Sequence, residues 1–419
     1  SFPTRRSSDL VTFAETLYVI ETYNLGRYGE VHLSGTAVLD NPTNVAEPGP
    51  ASDAIDAAND LNRVLLDDAS GVQNPPVVEH LRTTNDTLRL GDTTTGLTGT
   101  IYYAYDYYRI QPVGDVVFSP DAGRSEGAPD VGGTLKVASF NVLNYFTTFG
   151  SRGADDQTEF DRQRDKIINA IILLDADVIG LMEIENNGYG DETSAIDDLV
   201  DGLNDVAGAG SYAFIDAGGP IGTDEIAVGL IYKPASVTPT GITAILDSSF
   251  SVLFDDTRNR PALTQSFTEI ATGETFTVIV NHLKSKGSSC GAGDDDTRQG
   301  NCNLTRTVAA EVMMDWVTSD PTGVADPDFL IIGDLNAYAM EDPIDAIKAG
   351  VDDTPGTADD YTDLVAAFGG SEPLYSYVFA GERGYLDHAL ASADLTPFIT
   401  GTTHWHINAD EPRILDYNT

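Results

Sequence analysis

TFTVIVNHLKSKG, residues 275–287, is a short apolar run that stops on a histidine followed by two lysines. A buried β-strand reads as such a run, and the carboxyl end of a strand is where α/β folds place their sites. Three other stretches have the same form. LKVASF (135–140) runs into Asn141, DVIGLM (177–182) into Glu183, and FLIIG (329–333) into Asp334 and Asn336. Four such strands would deliver two carboxylates, an imidazole and two carboxamides to one rim. Phosphoryl-transfer chemistry needs that set: charge neutralised on the non-bridging oxygens, an aligned water and help for the leaving oxygen.

The segments between these strands fill out a domain from Thr134 onward. Phe160, Ile167, Ile168, Ile171 and Leu174 keep helical spacing behind a cap at Thr158 with Asp161 three residues on. Leu304, Val308, Val312 and Trp316 mark a second helix, and further strands read at 226–232, 262–270, 328–332 and 385–391. The mixture predicts an α/β (α+β) two-layer β-sandwich flanked by helices. Residues 11 to about 115 read as all-β, in runs such as TLYVIETY, EVHLSGTAV and IYYAYDYYRI broken by Gly, Pro, Asn and Asp. Residues 116–133 are a linker by composition. Aromatics between Tyr102 and Tyr108 either stack on bases or pack across the sheet. SFPTRRSSDL, residues 1–10, matches nothing in this pattern, looks like a translated adaptor tail, and is set aside.

With 66 acidic and 23 basic residues, the net charge of −43 describes a surface that salt must screen, as in a halophilic protein. It disfavours broad basic-patch binding of DNA, so a nucleic-acid role would lean on divalent metal and local cations. Of six lysines, Lys284 and Lys286 directly follow His282, with Arg298 and Arg306 beyond, a clustering that favours an anion site over a solvated turn. Cys290 and Cys302 bracket a Gly- and Asp-rich stretch without further Cys or His, which suits a loop-closing disulfide and an extracellular location. No run reaches the roughly 18 apolar residues of a membrane span. DDTPGTADDYTD, 352–363, has the oxygen density of a calcium loop without its spacing, and a solvated loop is the simpler reading.

SFNVLN, LMEIEN, VNHLKSKG, IIGDLNAY and GYLDHALAS, in that order, resemble the endonuclease/exonuclease/phosphatase superfamily, whose fold is typified by deoxyribonuclease I. The likeness is closest to its large extracellular bacterial nucleases and covers about 134–419. ETYNLGRYGEVHLSG and the YYRIQP ending more loosely resemble the small all-β OB-like barrel that precedes the catalytic domain there. The resemblance implies roles. Glu183 is the main metal ligand, with Asp387 structural or metal-proximal. Asp334 orients or deprotonates water. His282 is the phosphate-facing histidine, and Asn141 and Asn336 donate to phosphoryl oxygen. Asp224 or Glu225 is the acidic partner orienting His282, and Arg260 sits near phosphate. The expected cofactor is Mg²⁺ or Mn²⁺, with Ca²⁺ as a second ion. The expected partner is DNA or RNA, with no membrane, and the expected state is a secreted monomer.

Asp387 and His388 are not read as the catalytic pair. The family's Asp-His motif follows later and does not occur before the chain ends at LDYNT, so impaired activity is expected; His404 and His406 are read as packed or exposed. The same superfamily holds phosphatases and phospholipase-type phosphodiesterases, which is the alternative substrate class. A dead enzyme that only binds nucleic acid is the alternative of another kind.

Overall fold

The computed structural model describes residues 9–80, 87–189, 193–370 and 374–418. Two sheets packed face to face form the centre of the larger part. A four-stranded sheet runs in the order Ala213–Phe214, Ile226–Tyr232, Val178–Glu185, Val137–Tyr145. A six-stranded sheet runs Val237–Leu246, Arg260–Glu269, Thr275–His282, Phe329–Asp334, Asp387–Ser392, Tyr361–Asp363. Val178, Val228, Leu230, Val278, Val280 and Ile332 share the core between them. The sheets approach closely at Gly180, where a Cβ would lie 2.8 Å from Val280 and 2.9 Å from Ile332, so the position takes no side chain without displacement.

Helices cover both outer faces. Gln157–Leu174 and Ala195–Ala207 lay Ile167, Ile168, Ile171, Leu199 and Leu203 into the core of the four-stranded sheet. Asn303–Val317 and Asp342–Lys348 pack Ala309, Met313, Trp316 and Ile344 on the six-stranded sheet. The predicted sandwich flanked by helices is therefore present. The first helix is capped two residues earlier than predicted. The Asp156 side chain accepts from the amides of Thr158 and Glu159, and Thr158 lies inside the helix.

The N-terminal part is one seven-stranded sheet, ordered Asp9–Thr12, Thr98–Ala104, Tyr107–Pro112, Arg63–Leu66, Val31–Ser34, Leu17–Glu21, Thr93–Thr94. No pairing among the described residues joins its two end strands into a closed barrel. It is also not all-β: Pro50–Asp60 is an eleven-residue helix, and Leu25–Tyr28 and Pro42–Val45 are single turns. Asp9 and Leu10 pair with Ile101 and Thr100, so strand pairing begins inside the stretch set aside; residues 1–8 lie outside the described residues. The tyrosine run alternates imperfectly because it turns a corner. Tyr105 and Asp106 adopt φ of 51° and 64° in a two-residue hairpin, and Tyr103 and Tyr105 are exposed.

Three short strands join the two parts. Tyr377–Phe379 pairs with Glu382–Gly384, which pairs in turn with Leu39–Asp40. Cys290 and Cys302 form the expected disulfide. Among the described residues, no helix is long and apolar enough to cross a membrane.

Candidate active site

The polar residues that end the apolar runs converge where the two sheets meet. In the six-stranded sheet, Arg260 is paired with His282, His282 with Asp334, and Asp334 with Asp387. Directly paired residues stand on one face with Cβ atoms about 5 Å apart, so these four form a row. In the facing sheet, Asn141 pairs near Glu183 at a bulge rather than at a strand end. Leu143, Asn144 and Glu183 there adopt φ of 53°, 52° and 66°. For residues with a Cβ that left-handed conformation costs about 1–3 kcal/mol each, and such strain persists where the surroundings over-determine it.

Asn141 joins the two sheets. Its Nδ2 donates to Glu183 Oε1 at 3.1 Å and to Asp334 Oδ2 at 3.3 Å, while its Oδ1 accepts from the Leu143 amide at 3.0 Å. The Asn144 amide donates to Glu183 Oε2 at 3.0 Å. The Asp334 Oδ1 accepts from the Asn336 amide at 3.0 Å, and Asn336, at φ 50°, gives its own Nδ2 to the Leu283 carbonyl at 3.1 Å. Asn336 thus braces the loop after His282 and retains one N–H for another acceptor.

The electrostatics of this row are unbalanced. Burial, then the Asp387 carboxylate beside it and Glu183 further off, push the Asp334 carboxyl up to about 8. Burial, reinforced by Arg260, Arg152 and Lys284, holds the His282 imidazole well below its ordinary value, so it is neutral. Its Nε2 lies 3.8 Å from Asp334 Oδ2, and its buried Nδ1 has no hydrogen-bond partner. Three hard carboxylates that repel one another, with amide donors already fixed around them, fit a divalent cation such as Mg²⁺. Among the described residues, no three or more His, Cys, Asp or Glu form a metal-holding group. Glu183 and Asp387, the two carboxylates whose charges act on Asp334, are the residues that would hold such an ion together with water.

Several predicted partners are elsewhere. Asp224 does not orient His282. Its Oδ1 accepts from Arg152 Nη1 at 2.9 Å, and its Oδ2 lies 3.1 Å from Arg260 Nε. Arg260 is buried beside His282, gives Nη1 to the Leu283 carbonyl, and has its charge shared with Asp224. Lys286 is turned inward. Its Nζ donates to both oxygens of the wholly buried Glu341 at 2.6 Å and lies 4.4 Å from the Tyr338 ring centroid. Arg306 is fully buried against the carbonyls of Lys284, Gln299 and Asn301, and Arg298 pairs with Asp53. The basic cluster is therefore mostly scaffold, because burial without a carboxylate or carbonyl partner would be prohibitive. Lys284 is the member whose Nζ meets only hydroxyls, those of Ser285 and Ser288.

His388 points away from Asp387, with its Nε2 2.8 Å from the Ala337 carbonyl. In the 352–363 loop, Asp352, Asp359 and Asp360 accept from the loop's own amides and from Thr357. His404 and His406 are packed, as expected: the His404 Nε2 lies 3.0 Å from the Asp387 carbonyl oxygen with its ring centroid 5.4 Å from that of Tyr385, and His406 stacks on Tyr375. Sequence reasoning missed Ser376, whose Oγ accepts from the Leu386 and Asp387 amides and which stands in no motif that would mark it. A cavity of about 1000 Å³ opens beside Asn141 and Asp387, along the edge of Val137–Tyr145, with His404 in its wall. Its lining also includes the apolar side chains of Leu330, Ile332 and Phe276.

Residues 138–407 match the Endonuclease/Exonuclease/phosphatase family, and the chain belongs to it. This is a family of phosphate-ester hydrolases that generally use a divalent metal. Similar solved structures include the human nocturnin catalytic domain, at 15% identity, covering 62% of this chain and 82% of that one with a TM-score of 0.38. An endonuclease/exonuclease/phosphatase family protein from Bacteroides thetaiotaomicron matches at 13% identity, 62% and 83% coverage and a TM-score of 0.40. A β-hairpin deletion mutant of beta toxin from Staphylococcus aureus matches at 17% identity, 62% and 88% coverage and a TM-score of 0.40. No curated protein matches the chain.

Proposed function

We propose that the chain is a secreted, monomeric, metal-dependent phosphodiesterase that hydrolyses DNA, and RNA as a second substrate. The observation that carries this reading is the convergence of Asn141, Glu183, His282, Asp334 and Asp387 on one rim from two sheets. Glu183 and Asp387 would hold Mg²⁺ or Mn²⁺, and Ca²⁺ would serve as a second ion. A bound ion would neutralise the phosphodiester's non-bridging oxygens and activate water. With a cation offsetting the neighbouring carboxylates, Asp334 would lose the proton that burial and Asp387 favour. It would then align the water and take its proton as the water oxygen bonds to phosphorus, one P–O ester bond breaks and the leaving oxygen takes a proton from solvent. Neutral His282 donates one N–H to a phosphoryl oxygen, and Asn141 and Asn336 donate amide hydrogens without trapping the product anion. Arg260 and Lys284 supply positive charge behind them.

The disulfide supports an extracellular location, since such bonds persist in oxidising compartments. The N-terminal sheet, read as an OB-like domain followed by a linker over 116–133, supports nucleic acid as the substrate. Nicking of supercoiled plasmid with Mg²⁺ plus Ca²⁺, lost in EDTA and in Glu183→Ala, is the expected result. Hydrolysis of sphingomyelin or inositol phosphates without plasmid nicking would replace DNA with those substrates.

A further inference from the structure

We propose that Tyr377 and Phe379 form a stacking platform for an unpaired nucleobase of the substrate strand, next to the acidic rim; this rests on the nuclease reading above. The two rings sit at alternate positions of one short strand and so face the same side. Their planes lie within 12° of parallel, with centroids 6.5 Å apart. They are 44% and 63% exposed, an unusual allotment for two large rings whose neighbour Tyr375 is buried against His406.

The platform is tied to the reaction centre through one residue. Ser376, directly before Tyr377, accepts from the Asp387 amide at 3.2 Å, and Asp387 is paired with Asp334. The Tyr377 phenol accordingly feels Asp334, although burial is the larger cause of its raised pKa. The hairpin is also clamped from the N-terminal part, where Glu382 pairs with Leu39 and the Asn41 amide donates to the Arg383 carbonyl at 2.8 Å. Rings held from both sides are preorganised.

Charge favours a base as the occupant. With a net charge of −43, Lys286 and Arg306 committed inside the fold and the exposed Arg298 paired with Asp53, the chain has few cations with which to hold a polyanion. Stacking supplies affinity that does not depend on charge, about 1–3 kcal/mol per base. Only an unpaired base offers its face, so the platform selects single strands, frayed ends or flipped nucleotides. Two rings are too small for a protein interface, which buries roughly 800 Å² per partner.

The test is binding of fluorescein-labelled phosphorothioate dT12, read by anisotropy with Mg²⁺, beside an abasic strand of the same length. The double variant Tyr377→Ala/Phe379→Ala is expected to bind dT12 about tenfold more weakly than the parent, the loss of one base stack. Its affinity for the abasic strand should be unchanged. Tyr377→Phe, which keeps the ring, should retain dT12 affinity and guards against a loss caused by misfolding. Equal dT12 affinity in parent and double variant, with cleavage of unmodified dT12 intact in both, overturns the platform and leaves the nuclease reading standing. A parent that nicks plasmid but does not bind dT12 overturns the platform alone, and a parent that neither binds dT12 nor nicks plasmid overturns both.

Discussion

Asn141 donates to two carboxylates that repel each other, and that single side chain carries much of the geometry between the sheets. Asn141→Ala is expected to lower kcat for plasmid nicking about 10²-fold, the scale of one lost preorganised donor. Asp387→Asn should abolish nicking and yet raise the melting temperature in EDTA by about 2 °C, because it removes a charge that raises the Asp334 pKa. A second titration belongs to the N-terminal sheet. Burial pushes the Glu21 carboxyl up to about 7, partly offset by Arg63, opposite His32 in the strand register. An acid whose folded pKa is raised binds more protons folded than unfolded between pH 4.5 and 7, so stability falls as pH rises through that window. Urea melts at pH 5 and pH 8 should show Glu21→Gln gaining on the parent by about 3 kcal/mol at most as pH rises. Asn141, Glu183, His282 and Asp334 could be singled out because each follows an apolar run, whereas Asp387 opens its strand and was named only through the family resemblance. Partners were not: Asp224 is engaged by Arg152 and Arg260, and Lys286 by Glu341, pairings set by folding rather than by spacing.

The elements behave as their patterns predict wherever burial decides them. Strands at 226–232 and 275–281 were readable as apolar runs, and the structure has Ile226–Tyr232 and Thr275–His282. The bulge at Glu183 was not readable, since nothing in LMEIEN announces a left-handed glutamate. Nor was the helix Pro50–Asp60, whose small and acidic residues in PASDAIDAAND carry a weak apolar stripe and lie inside the stretch read as all-β. The disulfide closes a 12-residue separation at the entry to helix Asn303–Val317. Replacing both cysteines with serine should cost about 3 kcal/mol in urea unfolding on the chain-entropy account. Because Lys286 and Arg306 brace the same loop independently, nicking at room temperature is expected to persist.

At the scale of the whole molecule, the N-terminal sheet and the catalytic part are joined by buried polar contacts. Arg89 pairs with Asp410 at 3.1 Å and with Glu411, Arg63 with Glu382 at 2.6 Å, and Thr43 donates to Glu341 at 2.7 Å. Arg89→Ala leaves Asp410 buried without its cation, so a loss of about 3–5 kcal/mol in urea unfolding is expected. None of these contacts could be inferred from the sequence, where their members lie hundreds of residues apart. The acidic surface predicts a melting temperature that rises between about 0.1 M and 1 M NaCl, as the Debye length falls from about 10 Å to 3 Å. The most direct measurement is nicking of supercoiled plasmid by the folded chain with Mg²⁺ and Ca²⁺. Nicking that vanishes in EDTA and in Glu183→Ala is the predicted result. Nicking that persists in Glu183→Ala would contradict the assignment of the rim as the catalytic centre.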